Sequence, residues 1–241
     1  MKNLALAPEA LVAALAVLLL IGGRFGLVPQ SARRHLPAAT AAVVLIALVI
    51  ELWAGATLGT YFGGGLVQDR FALFAKAAVL LTTAIAFAVV DWTAEDSLSI
   101  GLAMPLLAAL GVMVAASAGD LVGLWAGLEL AATAGVVLVA LRRPDLGLRL
   151  LLTGGVASGL LLTGLAFVYA SAGTIELAAM RQVLFGGTAT LALAIPVFLL
   201  LTGLAIRASV APFHLAGIPA TLGASPLGAG LVLGLVAAAS A

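Results

Sequence analysis

Eight long apolar runs are the feature that most restricts how this chain can fold. They cover residues 6–23, 37–57, 71–91, 98–118, 120–141, 147–171, 188–211 and 221–241. A helix needs about 20 apolar residues to cross a bilayer, and strands of a membrane barrel need only about 10. Charged residues make up 9% of the sequence, against about 25% in a soluble domain. The pattern predicts an all-α, polytopic transmembrane bundle of about eight helices.

Composition excludes several kinds of function. The net charge is +1 and the basic residues are spread along the chain, so no nucleic acid is expected as a partner. The sequence contains no cysteine, which removes disulfides, thiolate metal sites and thiol catalysis. It also carries no flavin, iron–sulfur or quinone motif. We therefore expect no cofactor, no metal and no catalytic redox site in this chain.

The arginines of two loops predict the orientation. Arg24, Arg33 and Arg34 follow the first run, and Arg142 and Arg143 follow the fifth. Both groups fall on one side if the spans alternate, and the positive-inside rule makes that side cytoplasmic. The N-terminus is then outside. The first run resembles a signal peptide but lacks a small-residue cleavage site followed by a soluble domain, so we expect a retained helix.

Glycine-rich segments predict turns and helix contacts. The stretch 57–68 contains three successive glycines, but no Lys-Ser or Lys-Thr follows and no strand precedes, so a flexible turn is favoured over a phosphate loop. Small residues recur at four-residue spacing around Gly155 and Gly230. Such faces let helices approach closely and are expected to support docking of neighbouring subunits.

Glu129 is the strongest candidate for a functional residue. It lies in the middle of the fifth apolar run, with no lysine or arginine within a helical turn or two. A charge at this depth costs about 2.5–3.5 kcal/mol on insertion scales, so it normally faces a partner charge or a wet path. As the only deep carboxylate identified in the sequence, Glu129 predicts a cation from another segment.

Arg207 and His214 are the candidate partners. Pro196 and Pro212 lie within and at the end of the seventh run, and prolines free backbone carbonyls. We expect a seventh helix broken between them, which membranes tolerate where it is buried or lines a cavity. Arg207 is expected to pair with Glu129, with snorkelling to the surface as the alternative. His214 could titrate near neutral pH or be an interfacial histidine bonded to backbone.

Four other charged residues have simpler interpretations. Glu51 is expected at the membrane interface beside an aromatic residue, and Lys76 is expected to snorkel outward along its helix. Asp120 is interpreted as the cap of the fifth helix. Arg149 could snorkel or act in a charge path, and both interpretations stay open.

Three segments resemble the antiporter-like membrane subunits of respiratory complex I, most of all the subunit N or ND-two type. AASAGDLVGLWAGLELAATAGVVLVAL is similar to that family's fifth helix, with Glu129 in place of the functional glutamate. The segment beginning RRPDLGLRLLLTGG is similar to its sixth, with Arg149 where a lysine is usual. GLAIRASVAPFH is similar to its seventh, in which a lysine lies five residues before Pro-Phe-His, here Arg207 before Pro212.

The resemblance implies a division of the chain and also shows departures. Residues 1–97 correspond to three preceding helices and residues 98–241 to one antiporter-like five-helix repeat. The family carries about fourteen helices with two inverted repeats, so we expect the chain to be part of a longer polypeptide rather than a natural half-length subunit. The tryptophan and aspartate usual after Pro-Phe-His are missing, and both remaining lysine positions are arginines.

Three functions remain open. The first, implied by the resemblance, is a membrane subunit of a proton-translocating NADH:quinone oxidoreductase, with a proton path through Glu129, Arg207, Arg149 and His214. The second is a subunit of a cation/proton antiporter or membrane-bound hydrogenase of the same fold. The third is a non-conducting scaffold. In each case we expect other membrane subunits as partners, quinone bound only by those partners, and a location in the bacterial inner membrane.

Overall fold

The computed structural model of the chain is built almost entirely of α-helices. It describes residues 6–54, 58–89, 98–185 and 194–217. Six helices in these residues are long and apolar enough to cross a membrane. They are α1 (Ala7–Arg24), α3 (Leu36–Ala54), α4 (Arg70–Val89), α5 (Leu98–Ala116), α6 (Leu121–Arg142) and α7 (Pro144–Ala172). The shorter elements are α2 (Gln30–Arg33), β1 (Gly59–Tyr61), β2 (Leu66–Gln68), α8 (Leu177–Phe185), α9 (Ala194–Arg207) and a 3₁₀ turn at Phe213–Gly217.

The helices confirm the predicted all-α membrane bundle. Each of the first six apolar runs contains one long helix, with ends within about three residues of the expected ones. The seventh run contains the shorter α9, and the eighth run, 221–241, lies outside the described residues. The short elements α2, α8 and the two strands were not predicted, because apolar run length carries no signal for them.

α5 lies at the centre of the helix packing. It carries no charged residue and contacts α1, α4 and α6. Its side chains Leu102, Leu106 and Met113 are fully buried in a core that α1, α3, α4 and α6 complete. Because this core joins helices on both sides of residue 97, the packing is continuous there, and the division of the chain into two units stays a prediction.

One end of the bundle is closed by a layer of loops. β1 and β2 pair as an antiparallel hairpin, and Gly63 and Gly64 in its turn have φ of 66° and 101°, which glycine adopts without strain. The predicted flexible turn is thus an ordered hairpin. Backbone hydrogen bonds join it to the α5–α6 turn and that turn to the α7–α8 loop: Val67 to Ser117, Gly119 to Gly65, Leu177 to Gly119, and Leu121 to Ile175. We call this layer the hairpin end.

The arginines of the two loops lie at the opposite end, whereas Arg70, which begins α4 after β2, lies at the hairpin end. α1 and α6 both start at the hairpin end, so Arg24 and Arg142, in their last turns, lie together at the far end with α2. We call it the arginine end. The two arginine-bearing loops therefore lie on the same side of the bundle, as the predicted orientation requires. That this side faces the cytoplasm stays a prediction.

Candidate functional site

α6 carries Glu129 into the membrane interior. Asp120 caps the helix, accepting a hydrogen bond from the Gly123 backbone N–H at 2.6 Å, which confirms the predicted capping role. Glu129 lies eight positions after the first helical residue, Leu121. At 1.5 Å per residue it is therefore about 12 Å from the start of the helix.

A close helix contact holds α6 in position. A Cβ at Gly127 would lie 2.6 Å from the backbone nitrogen of Ala115 and 2.6 Å from the carbonyl oxygen of Gly111, both in α5. Only glycine, which has no Cβ, allows the backbones of α5 and α6 to approach this closely. Gly127 therefore fixes α6 against the central helix two residues before Glu129.

Arg207 is the last residue of α9, which ends in a Schellman motif. Val210 donates to the carbonyl oxygen of Ala205 at 3.0 Å and Ser209 to that of Ile206 at 3.1 Å, with Ser209 left-handed at φ 53°. Irregular backbone follows as far as the 3₁₀ turn. The predicted break of the seventh helix is thus present, at residues 208–212.

Pro196 does not break the helix. It lies in the first turn of α9, where a missing N–H leaves no intrahelical hydrogen bond unmade. The break therefore lies within the expected interval between Pro196 and Pro212, at its Pro212 end.

Glycines also bring α9 against α7. A Cβ at Gly203 would lie 2.9 Å from the carbonyl oxygen of Ala157, and one at Gly164 would lie 3.0 Å from that of Pro196. This contact places the end of α9 beside Ser158 of α7. By contrast, Gly155 has no atom within 4 Å of a built Cβ, so the predicted small-residue face is open within the described part of the chain.

The structure brings Arg207 and Glu129 together. Arg207 Nη2 donates to Glu129 Oε1 and, at 2.7 Å, to Ser158 Oγ. Arg207 Nη1 donates to the carbonyl oxygen of Leu128 at 3.1 Å. The guanidinium therefore connects α6, α7 and α9, and it meets both the carboxylate and the backbone of α6.

The two members of the pair differ in exposure. The Arg207 side chain is 2% exposed and that of Glu129 is 28% exposed. Arg207 Nε is buried and has no hydrogen-bond partner among the described residues. Glu129 is therefore the member of the pair that a ligand, water or neighbouring segment can reach.

Arg149 and His214 lie away from this contact. Both are exposed, Arg149 near the start of α7 and His214 in the 3₁₀ turn after the break. Within the described ranges neither side chain makes a hydrogen bond or ion pair with another residue. Also within those ranges, no group of three or more His, Cys, Asp or Glu residues could hold a metal ion.

Two expectations about other charged residues were wrong. Lys76 is 0% exposed and contacts Glu9 Oε1, so it does not snorkel. Glu51 is 1% exposed and accepts a hydrogen bond from Gln68, so it is not at an interface. Glu9 is buried as well, but Glu9 and Glu51 lie in terminal turns of their helices, whereas Glu129 lies near the middle of α6. The physical reason is mutual pairing, which makes burial of charge tolerable.

Similar proteins were found by sequence. NADH-quinone oxidoreductase subunit N of Magnetococcus marinus is 33% identical over 224 residues, covering 88% of this chain and 46% of the relative. The protein of the same name from Rhodobacter capsulatus is 35% identical over 217 residues, covering 86% of this chain and 45% of that relative. The chain spans about half the length of the curated relatives it matches.

Solved structures show the same fold. Respiratory complex I from Thermus thermophilus matches with a TM-score of 0.79 at 24% identity, over 97% of this chain and 51% of that chain. The archaeal membrane-bound sulfane sulfur reductase matches with a TM-score of 0.83 at 18% identity, over 98% of this chain and 52% of that chain. The Mrp complex from Dietzia matches with a TM-score of 0.67 at 21% identity, over 96% of this chain and 46% of that chain.

A family match covers the segment that holds the Glu129–Arg207 contact. Residues 118–241, half of the chain, match the family described as NADH:quinone oxidoreductase/Mrp antiporter, TM. This segment contains α6, α7 and α9, the three helices that Arg207 connects. With the subunit N relatives and the shared fold, the match shows that the chain belongs to the NADH:quinone oxidoreductase/Mrp antiporter family of transmembrane proteins.

Proposed function

We propose that the chain acts as a membrane subunit of a proton-translocating NADH:quinone oxidoreductase and that Glu129 carries protons beside the fixed charge of Arg207. The observation that carries the proposal is the contact between these two side chains inside a bundle of this family's fold. We assign electron transfer and quinone binding to partner subunits, because the given sequence carries no flavin, iron–sulfur or quinone motif.

Arg207 acts as a permanent countercharge. A guanidinium does not release its proton in a protein at any physiological pH. Its two terminal nitrogens are bound to three acceptors on α6 and α7, and its side chain is 2% exposed. A group held and charged in this way stabilises an anion but does not relay protons.

Glu129 is the group that exchanges protons. Its side chain is 28% exposed within the bundle, so water or a neighbouring subunit can reach it. When Glu129 is ionised the pair is neutral overall; when it is protonated, a positive charge is left at the site. This change of one unit charge alters the electrostatic interaction of the site with charged groups of neighbouring helices or subunits. His214 and Arg149 stay predicted further members of this path.

The test compares substitutions in the assembled, membrane-embedded complex. We expect Glu129→Gln to lower the number of protons translocated per electron, because the amide cannot ionise. Arg207→Lys is expected to preserve translocation, since the ammonium keeps the charge. Glu176→Gln, at an exposed carboxylate of the hairpin end, is the matched control and is expected to have no effect. Unchanged translocation in Glu129→Gln would overturn the assignment.

A non-conducting scaffold is the second candidate. It is favoured by the substitution of arginine for the two lysines that the family resemblance implies, because a relay through these positions needs a cation that can lose its proton. Under this alternative Glu129→Gln lowers stability but leaves translocation per electron unchanged. Measuring both quantities on the same preparation separates the two functions.

We also propose that the hairpin end, with the N-terminus, faces the outside of the bacterial inner membrane. The arginines gathered at the opposite end support this orientation. The chain has no cysteine, so a single introduced thiol is its only labelling site. Thr60→Cys in the hairpin and Ser31→Cys in α2 are both at exposed positions. A membrane-impermeant maleimide applied to whole cells with a permeabilised outer membrane is expected to label only Thr60→Cys, and the reverse would refute the orientation.

A further inference from the structure

Four polar side chains are buried together near the hairpin end, outside the Glu129 site. Glu9 comes from the first turn of α1, Glu51 from the last turn of α3, Gln68 from the end of β2, and Lys76 from the second turn of α4. Their exposures are 6%, 1%, 3% and 0%. Burial of polar and charged side chains costs free energy unless they are hydrogen-bonded or paired, so these four residues are expected to contact one another.

The four side chains form one connected network. Lys76 Nζ contacts Glu9 Oε1 and donates a hydrogen bond to Gln68 Oε1 at 2.7 Å. Gln68 Nε2 donates to Glu51 Oε1 at 2.7 Å. The order is therefore Glu9, Lys76, Gln68, Glu51, and we call this the four-residue network.

The charges of the network do not balance if every group is ionised. Two carboxylates then face one ammonium, which leaves one excess negative charge. α5, which packs on α1 and α4, carries no charged residue. Of the other charged residues on the described helices around the network, Arg24 ends α1 at the arginine end, and Arg70 is exposed, as is Asp69 before it. Tyr61, at the end of β1, lies in the same hairpin as Gln68.

We propose that the four-residue network is a proton-binding site that holds one exchangeable proton on the carboxyl group of Glu51. One added proton makes the network neutral, and neutrality is strongly favoured in a low-dielectric interior. The proposal rests on the packing of α1, α3, α4 and the hairpin, and it does not depend on the function proposed for Glu129 and Arg207.

The contacts select Glu51 as the carrier. Glu9 touches the ammonium of Lys76 directly, and the attraction between opposite charges is strongest at direct contact. Gln68 separates Glu51 from Lys76 and donates to Oε1 of Glu51, and a carboxyl group can accept a hydrogen bond at one oxygen while the other oxygen carries a proton. Glu51 therefore has weaker electrostatic support for a negative charge than Glu9 has.

The position of the network makes exchange with water possible. Gln68 is followed directly by the exposed residues Asp69 and Arg70, and Glu9 is the third residue of α1. The network is therefore within about one helical turn of the bundle surface at the hairpin end. Proton exchange requires only a short opening of the loop layer there.

Infrared spectroscopy of the assembled complex tests the proposal. Difference spectra between H₂O and D₂O report the C=O stretch of protonated carboxyl groups. We expect Glu51→Gln to remove one such band relative to the wild type. Glu9→Gln is also expected to remove it, because the remaining carboxylate then balances Lys76. Lys76→Met is expected to add one band, since both carboxyl groups would be protonated.

Glu176→Gln supplies the control, because this carboxylate is exposed at the same end of the bundle and its substitution leaves the protonated-carboxyl region unchanged. The two glutamine variants keep side-chain size and hydrogen bonding, so they test the proposal even where Lys76→Met does not assemble. Retention of the band in Glu51→Gln overturns the assignment to Glu51, and its retention in Glu9→Gln overturns the charge-balance argument. Neither result depends on whether protons are translocated through Glu129.

Discussion

Arg207 donates a hydrogen bond at 3.1 Å to the carbonyl oxygen of Leu128, the residue directly before Glu129 in α6. The same guanidinium holds the carboxylate of Glu129 through its other terminal nitrogen. The cation is thus fixed to a helix backbone as well as to a titratable side chain. A change in the protonation of Glu129 can alter one of these contacts while the other keeps Arg207 in place.

Ser158→Ala is expected to destabilise the assembled complex. The substitution removes the hydroxyl that accepts from Arg207 Nη2 at 2.7 Å, and the side chain of Arg207 is almost fully buried. A hydrogen bond to a charged group contributes about 1.5–3 kcal/mol. Thermal unfolding of the purified complex measures the effect. Ser171→Ala, in an exposed part of the same helix, is the control and is expected to change little; equal effects would contradict the contact.

Gly127→Ala is expected to loosen the packing of α6 on α5. The added methyl group would lie 2.6 Å from backbone atoms of both Ala115 and Gly111, and overpacking of this kind costs about 1–3 kcal/mol. The control is Ser171→Ala, at an exposed position of α7, which is expected to be neutral or slightly stabilising because alanine has the higher helix propensity. Thermal stability of the two complexes measures the difference, and the same sign of change in both would count against this packing.

Asp120→Ala is expected to weaken the start of α6. The carboxylate accepts from the Gly123 N–H at 2.6 Å, and loss of such a cap costs about 1 kcal/mol. Asp120→Asn keeps an acceptor and is expected to retain most of the stability in a denaturation experiment. Asp145→Ala removes an exposed carboxylate that bonds only Arg143 at 3.2 Å among the described side chains, and it is expected to cost less stability than Asp120→Ala, because exposed ion pairs contribute little.

Ser209→Gly is expected to stabilise the break after α9. Ser209 has a φ of 53°, and a left-handed conformation costs an L-residue roughly 1–2 kcal/mol that glycine avoids. Ser171→Gly places glycine in regular helix instead and is expected to destabilise by about 0.5–1 kcal/mol. Opposite shifts in melting temperature support the Schellman geometry, whereas destabilisation by both substitutions argues against it.

Local properties of the sequence predicted the spans and part of the site. Helix length follows from apolar run length alone, and the cap at Asp120 follows from its place before such a run. Glu129 and Arg207 were identified because a charge inside an apolar run is costly. Their contact could be expected, whereas the roles of Ser158 and the Leu128 carbonyl could not, since these depend on the register between α7, α9 and α6.

The four-residue network was missed for a different reason. Glu9, Glu51 and Lys76 each lie near the end of a span, where a single sequence favours an interfacial position. These side chains are buried because the ends of α1, α3 and α4 converge on the hairpin. Such a convergence of distant segments leaves no mark in the local sequence. Gln68, a polar residue three positions after Gly65, is the sequence signal that points to this site.

The hairpin end constrains the order in which the chain can assemble. Its backbone hydrogen bonds join segments that run from Gly59 to Leu177. During synthesis the hairpin emerges first. Ser117, whose carbonyl accepts from Val67, is made about 50 residues later, and Ile175, whose carbonyl accepts from Leu121, is made later still. Until α7 has been inserted, the carbonyl group of Gly119 and the N–H of Leu121 lack their partners at Leu177 and Ile175, and contacts between such distant segments form slowly. Closure of this layer is therefore a late event in biogenesis, and an insertase or a neighbouring subunit that shields the open edge would speed it.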